Sequence, residues 1–310
     1  MKYIELTTLR VVAIILIVNS HLTLFYPYEY FATGGALGNA IFFFISGVGL
    51  SYSLTNNKIK FLNWIRKRYL RVYPKLLFIV VLYISIKFIE INNLQQFLIK
   101  IVFPVEFWFL PVLTYFYLFI YFIAVNFNIR NLIYLLLIIL LFYLFNYNFF
   151  VDSKIYSIEN NIFFKSIFYF FIINLGVLTH KTYNKFNFNI STSTIIFFSS
   201  IISYYYLKYL MLVENMYFYQ FLEHIFIIII VLSLFYLLKN KKLINIQKNK
   251  YFEKYIFFVG GMSLEIYLVH AYFKNYPIST FPFNILIFTI LVLIASFLFK
   301  LIFLKLFKLH

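Results

Sequence analysis

Arg10 and His21 interrupt the first apolar segment of the chain, LRVVAIILIVNSH, eleven residues apart. Ionisable side chains at membrane depth cost free energy and mark functional positions. In a helix, eleven steps return to nearly the same face about 16 Å further along. One helix would then present a guanidinium near a water interface and an imidazole much deeper, with Ile14 and Ile17 on the stripe between them. That layout suits a long ligand with an anionic end and a reactive end. Imidazole titrates near neutrality, which suits His21 to general-base work. Asn19 and Ser20 stand beside it and are candidates to orient the ring. The plainer readings stay open: Arg10 snorkels to the cytoplasmic interface, and His21 is a buried ring bonded to a neighbouring helix.

Four further clusters carry chemistry or packing. Of eight glycines, five are Gly34, Gly35, Gly38, Gly47 and Gly49, framing GGALGNAIFFFISGVGL. They serve close helix packing, close approach of a ligand, or both. In WIRKRYLRVYPK, Arg68 and Arg71 lie one turn apart before Pro74. They are either ordinary cytoplasmic basic residues or a phosphate clamp, for which arginine's rigid fork is suited. In SLEIYLVH, Ser263, Tyr267 and His270 share one helix face. Glu265 in the same segment points elsewhere and needs a partner or a water-filled cavity. The FWFLP run at Trp108, after Glu106, reads as an aromatic belt opening a span.

These residues need elements to position them, and composition says which. Of 310 residues, 64% are hydrophobic, 24% aromatic and only 12% charged, with mean hydropathy +0.88. Soluble domains run nearer half apolar and a quarter charged. Several runs reach the roughly 20 residues needed to cross a bilayer. The expected fold is an all-α integral membrane bundle of about ten transmembrane helices, with residues 1–310 forming one transmembrane domain. The spans are expected at about 6–25, 36–55, 76–92, 107–125, 132–150, 162–178, 191–212, 217–238, 256–272 and 283–304. No cleavable signal or appended soluble domain is expected. Basic residues favour cytoplasmic loops. Lys58, Lys60, Arg66, Lys67, Arg68, Arg71 and Lys75 fall between spans two and three, and Lys239, Lys241, Lys242, Lys248, Lys250 and Lys254 between spans eight and nine. With Lys181, Lys185, Lys305 and Lys308 they mark one side, which puts both termini in the cytoplasm; scattered lysines such as Lys100, Lys154 and Lys274 fall on the other. The net charge of +17 then follows from topology, with anionic lipid headgroups as the simple partner and no support for nucleic acid. Absence of cysteine excludes thiolate catalysis and disulfides. No metal is expected, because none of His21, His180, His224, His270 and His310 pairs with another at ligand spacing in one helix. His224 beside Glu223 is a candidate acceptor contact, with the structural reading preferred. The spacing of Gly34 and Gly38 suits a homodimer or internal packing.

Taken in order, these residues resemble the bacterial membrane-bound acyltransferase family 3. The family's first span has an arginine and, eleven residues on, a histidine, matched by Arg10 and His21. Its second span has a glycine-x-x-glycine start and FF-x-x-SG, matched by Gly35, Gly38, Phe42, Phe43, Ser46 and Gly47. Arg68, Arg71 and Pro74 match its R-x-x-R-x-x-P, and Ser263, Tyr267 and His270 look similar to a late serine-x-x-x-tyrosine-x-x-histidine. Two features depart. Ala40 and Ile41 stand where many members have an aspartate, and Leu113 and Thr114 follow Trp108 where many have paired glutamates. The chain looks like the shorter, single-domain subset.

The resemblance implies a multi-pass O-acyltransferase of the bacterial cytoplasmic membrane. It would move an acyl group, most often acetyl, from acetyl-CoA or another acyl-CoA to a sugar hydroxyl of a cell-surface or lipid-linked glycan. Arg10, Arg68 and Arg71 would hold the anionic end of the donor, with its pantetheine arm along the apolar stripe of span one. His21 would be the base, Tyr267 or Ser263 the oxyanion donor, and His270 the second candidate base. A transporter or flippase for a lipid-linked sugar is the main rival, although no paired repeat with broken helices is visible. A glycan polymerase ranks third, because the longest outer loop is only about 14 residues.

Overall fold

The computed structural model describes residues 4–55, 59–183, 185 and 189–306; Lys58, Lys308 and His310 lie outside the described residues. Thirteen α-helices and no strand are found among the described residues. They are α1 (Ile4–Asn19), α2 (Gly35–Thr55), α3 (Phe61–Ser85), α4 (Leu94–Val102), α5 (Phe109–Asn126), α6 (Ile129–Phe150) and α7 (Ile162–Lys181). There follow α8 (Ile190–Leu212), α9 (Gln220–Leu238), α10 (Lys241–Gln247), α11 (Lys250–Gly260), α12 (Ser263–Phe273) and α13 (Phe283–Leu306). Helix is what so apolar a chain must form, because lipid offers no partner to a backbone N–H or C=O. Several helices begin at asparagine. Asn93, Asn128, Asn161, Asn189 and Asn240 precede α4, α6, α7, α8 and α10, and each side chain accepts a first-turn backbone N–H.

Seven of the ten expected spans hold a helix long and apolar enough to cross a membrane, and the ninth adds an eighth if its bent pair counts as one. That pair is α11 and α12, bent by 62° across Gly261 and Met262. The first span ends at Asn19 rather than near 25, so His21 lies beyond the helix and not within it. The third begins at Phe61 rather than near 76, so Arg66, Lys67, Arg68, Arg71 and Lys75 stand on a helix and not in a loop. Pro74 lies inside α3. Proline next to basic residues reads as a break, yet membrane helices tolerate it where neighbours satisfy the freed backbone. The expected outer loop before the fourth span contains α4.

The chain forms two compact units of interleaved segments: Met1–Leu9, Asn39–Ile59 and Leu118–Glu253, and then Arg10–Gly38, Lys60–Tyr117 and Lys254–His310. In the first unit α2 and α7 meet at glycine. A Cβ on Gly47 would strike the carbonyl oxygen of Ile173, and one on Gly176 that of Phe44. Gly49 has no such role, since a Cβ there meets nothing within 4 Å.

In the second unit α1 packs on the start of α2. A Cβ on Gly38 would lie 2.8 Å from both Ala13 O and Ile17 Cγ1. Gly34, beneath Leu16, takes φ +101°, a region open mainly to glycine. The connection between the helices is two short 3-10 turns tied by Asn19. Its amide donates to the carbonyls of Phe31 and Thr33, both at 2.9 Å, and its carbonyl oxygen accepts from the Tyr26 hydroxyl. The amide of Asn284, on α13, donates to Phe25 O at 2.7 Å and fastens this connection to that helix.

Gly47→Ala should cost about 1–3 kcal/mol through overpacking and lower the thermal midpoint in detergent. Gly49→Ala should leave the midpoint unchanged or raise it. Equal midpoints would show that α2 and α7 do not approach at Gly47.

Candidate active site

The seven residues singled out for chemistry all fall in the second unit, in two groups. In the first, the rings of His21 and His270 lie 5.2 Å apart, tilted by 39°. His21 sits just past the end of α1, where its backbone N–H donates to Val18 O at 3.0 Å, and as a residue it is more exposed than His270. His270 is buried, at 3% exposure. Its Nδ1 lies 3.2 Å from the Ile266 carbonyl oxygen, which can only accept. In the neutral ring Nδ1 therefore carries the hydrogen, and Nε2 keeps its lone pair.

The Tyr267 ring lies 5.7 Å from His270. Phe109 and Phe107, flanking Trp108, pack at 5.7 and 6.1 Å from it, and its hydroxyl bonds to the backbone of Phe109. Lys274, one turn beyond His270, is within electrostatic reach of both imidazoles. Ser263 stands apart: seven residues, about 10 Å along α12, separate it from His270.

The second group surrounds Tyr117 of α5, which interacts electrostatically with Arg10, Arg68 and Arg71. Arg10 and Arg71 also act on each other. The Arg68 guanidinium lies 5.6 Å from the Trp64 ring centre, and Trp64 packs edge-on to Tyr117. Among the described residues neither Arg10 nor Arg71 pairs with a carboxylate.

Three expectations are corrected here. Asn19 and Ser20 do not turn toward His21: Asn19 holds the connection to α2, and the Ser20 hydroxyl donates to Ile17 O at 2.8 Å. Ile14 and Ile17 do not line an open stripe, being 1% and 2% exposed. The FWFLP run is more than a belt, since its outer phenylalanines wall Tyr267.

Sequence reading also missed two lysines. Glu265, buried on α12, has its partner in Lys75 of α3, with Nζ at 2.6 Å from Oε1. Both Lys75 and Lys274 were counted only as topology signals. The lone carboxylate in SLEIYLVH was the available hint that a cation lies opposite.

In the first unit His224 belongs to a buried polar network. Nδ1 meets the Tyr143 hydroxyl at 2.7 Å, Nε2 meets Glu159 Oε1 at 3.1 Å, and the ring stacks on Phe168 at 3.8 Å. Its neighbour Glu223 accepts from Tyr156 and pairs with Lys208 at 3.3 Å. Such a network ties the 151–161 connection to α6, α7, α8 and α9, which fits the structural reading. His180 meets the Ser51 hydroxyl at 2.8 Å. Among the described residues no three His, Cys, Asp or Glu side chains group to hold a metal.

The family model for the acyltransferase domain of the acyltransferase 3 family matches residues 3–305. The chain belongs to the acyltransferase 3 family. Comparison with curated proteins and with solved structures finds no match. The protein is thus a multi-pass membrane acyltransferase, and the family match takes in both groups of residues.

Removing one partner of a buried ion pair leaves an uncompensated charge, which costs about 3–5 kcal/mol. Lys75→Met in this acyltransferase should lose about 3 kcal/mol of stability in detergent, and Lys75→Met/Glu265→Leu should recover most of it. A double variant no more stable than the single one would refute the pairing.

Proposed function

We propose that this acyltransferase moves an acyl group, most often acetyl, from cytoplasmic acyl-CoA to a hydroxyl of a cell-surface or lipid-linked glycan in a bacterial cytoplasmic membrane. The observation that carries this reading is the meeting of His21 and His270 beside Tyr267 and Lys274. Two histidines, a phenol and a cation are the parts list of acyl transfer to a hydroxyl.

His21, the less buried of the two residues, takes the proton of the acceptor hydroxyl as its oxygen attacks the thioester carbonyl carbon. The tetrahedral oxyanion is met by the Tyr267 hydroxyl and the Lys274 ammonium. The carbon–sulfur bond then breaks, and the proton held by His21 goes to the departing thiolate. His270 is the second candidate base, with Nε2 available. A covalent acyl-histidine route adds a step that the chemistry does not need.

Arg10, Arg68 and Arg71 are assigned to the phosphates of coenzyme A. Guanidinium groups gathered near one another repel, and a bound polyanion relieves that repulsion. The donor's arm needs a path other than the stripe of Ile14 and Ile17, which is filled.

Thiol release from acetyl-CoA by the purified protein in nanodiscs, with and without a surface-glycan extract, tests this. Wild type should release thiol in an acceptor-dependent way, and His21→Ala should lose about 100-fold or more of that rate. Arg71→Ala should raise the donor KM by about tenfold with little change in kcat. Release that survives His21→Ala removes the base assignment. No release from a folded protein with any donor would favour the transport of a lipid-linked sugar instead.

A further inference from the structure

The outer face of α3 holds a groove of about 650 Å³, lined almost wholly by apolar atoms. Leu70, Tyr73, Pro74, Leu77, Val81 and Ser85 run along it. From Leu70 to Ser85 the groove covers about 22 Å of helix. In the second unit it is flanked by α4 and α5, reached by the Tyr73 hydroxyl at Ile101 O (2.9 Å) and the Tyr69 hydroxyl at Thr114 O (3.3 Å). Its other flank is α13, where Phe78 meets Phe299 at 5.7 Å.

Four of the five basic residues of α3 divide between two faces, and the fifth, Arg71, is exposed about 90° from the line of the groove. At 100° per residue, Arg66 and Lys67 fall about 50° to either side of the line through Leu70, Pro74, Leu77 and Val81. They therefore straddle the head of the groove, and both are exposed. Among the described residues neither has an ion-pair partner. Arg68 and Lys75 lie about 130–150° away on the opposite face, where Arg68 meets Trp64 and Lys75 meets Glu265. The inward set is accounted for by the site and by the ion pair. The outward set is not.

We propose that this face binds one anionic glycerophospholipid of the bilayer, with its phosphate between Arg66 and Lys67 and an acyl chain in the groove from Leu70 to Ser85. The charge pattern selects the occupant. Two cations at the head of an apolar channel complement a phosphodiester with a chain attached, and basic pockets on transmembrane helices hold such headgroups. A free phosphate would leave the apolar length unused, and a zwitterionic lipid would bring a cation of its own to Arg66 and Lys67.

The test is lipid retention by the purified full-length protein after delipidation in neutral detergent, with phosphatidylglycerol and phosphatidylcholine as competing probes, read by native mass spectrometry. Wild type should keep phosphatidylglycerol preferentially. Arg66→Gln/Lys67→Gln should weaken that retention by about thirtyfold, as expected for two basic residues near a membrane surface. Leu77→Trp, which fills the groove and keeps the charges, should weaken retention of both lipids. Equal retention of the two lipids by wild type, or full retention by the double variant, overturns the proposal. Displacement of phosphatidylglycerol by a polyprenyl-phosphate sugar at lower concentration would also overturn it, by assigning the groove to a lipid-linked substrate.

Discussion

The short helix α12 has only eleven residues, and the site depends on what holds it still. It is too short to cross a bilayer alone and is separated from α11 by a sharp bend, so chain connectivity cannot position it. Side chains do that work. Lys75 reaches Glu265 from α3, and the Tyr83 hydroxyl, also on α3, donates to the carbonyls of Leu268 and Val269 at 2.9 and 3.3 Å. Lys300 of α13 donates to Gly261 O at the bend. Each hook satisfies a polar group that lipid would leave unpaired. Together they set where Tyr267 and His270 stand.

The same logic makes α3 more than a tether. Its basic residues are distributed by helical phase, so neighbours in sequence have different surroundings. Arg68 faces aromatic rings and other arginines, while Arg66 and Lys67 face outward. In the first unit, by contrast, buried charge is balanced internally: Glu159, Glu223, His224 and Lys208 share partners. Arg10 and Arg71, in the second, act on each other and, among the described residues, pair with no carboxylate.

The helical membrane fold was legible because composition and backbone hydrogen bonding leave no alternative. The close approach at the glycines of α2 and the neighbouring places of Tyr267 and His270 on α12 were legible because helical periodicity decides what shares a side; Arg10 and His21 were expected on one helix, but α1 ends before His21. What escaped was contact between distant segments. Asn19 looked like a partner for His21 because it is adjacent in sequence, but the turn after α1 needs its amide more. Lys75 and Lys274 were hidden by the very rule that sorted basic residues by topology. The bend before Ser263 was invisible because Gly261 is tolerated inside a helical pattern. The run of basic residues before Pro74 looked like a loop because proline is a strong local signal, while the neighbours that let α3 continue are distant in sequence.

Helix α1 ends at Asn19, and His21 stands just beyond its last turn. Beyond it the connection exposes Leu24, Tyr28, Tyr30 and Phe31, side chains suited to the boundary between tails and headgroups. A segment anchored at that boundary moves with the local thickness of the bilayer. The distance between water and the imidazole of His21 is then a property of the surrounding membrane as much as of the protein.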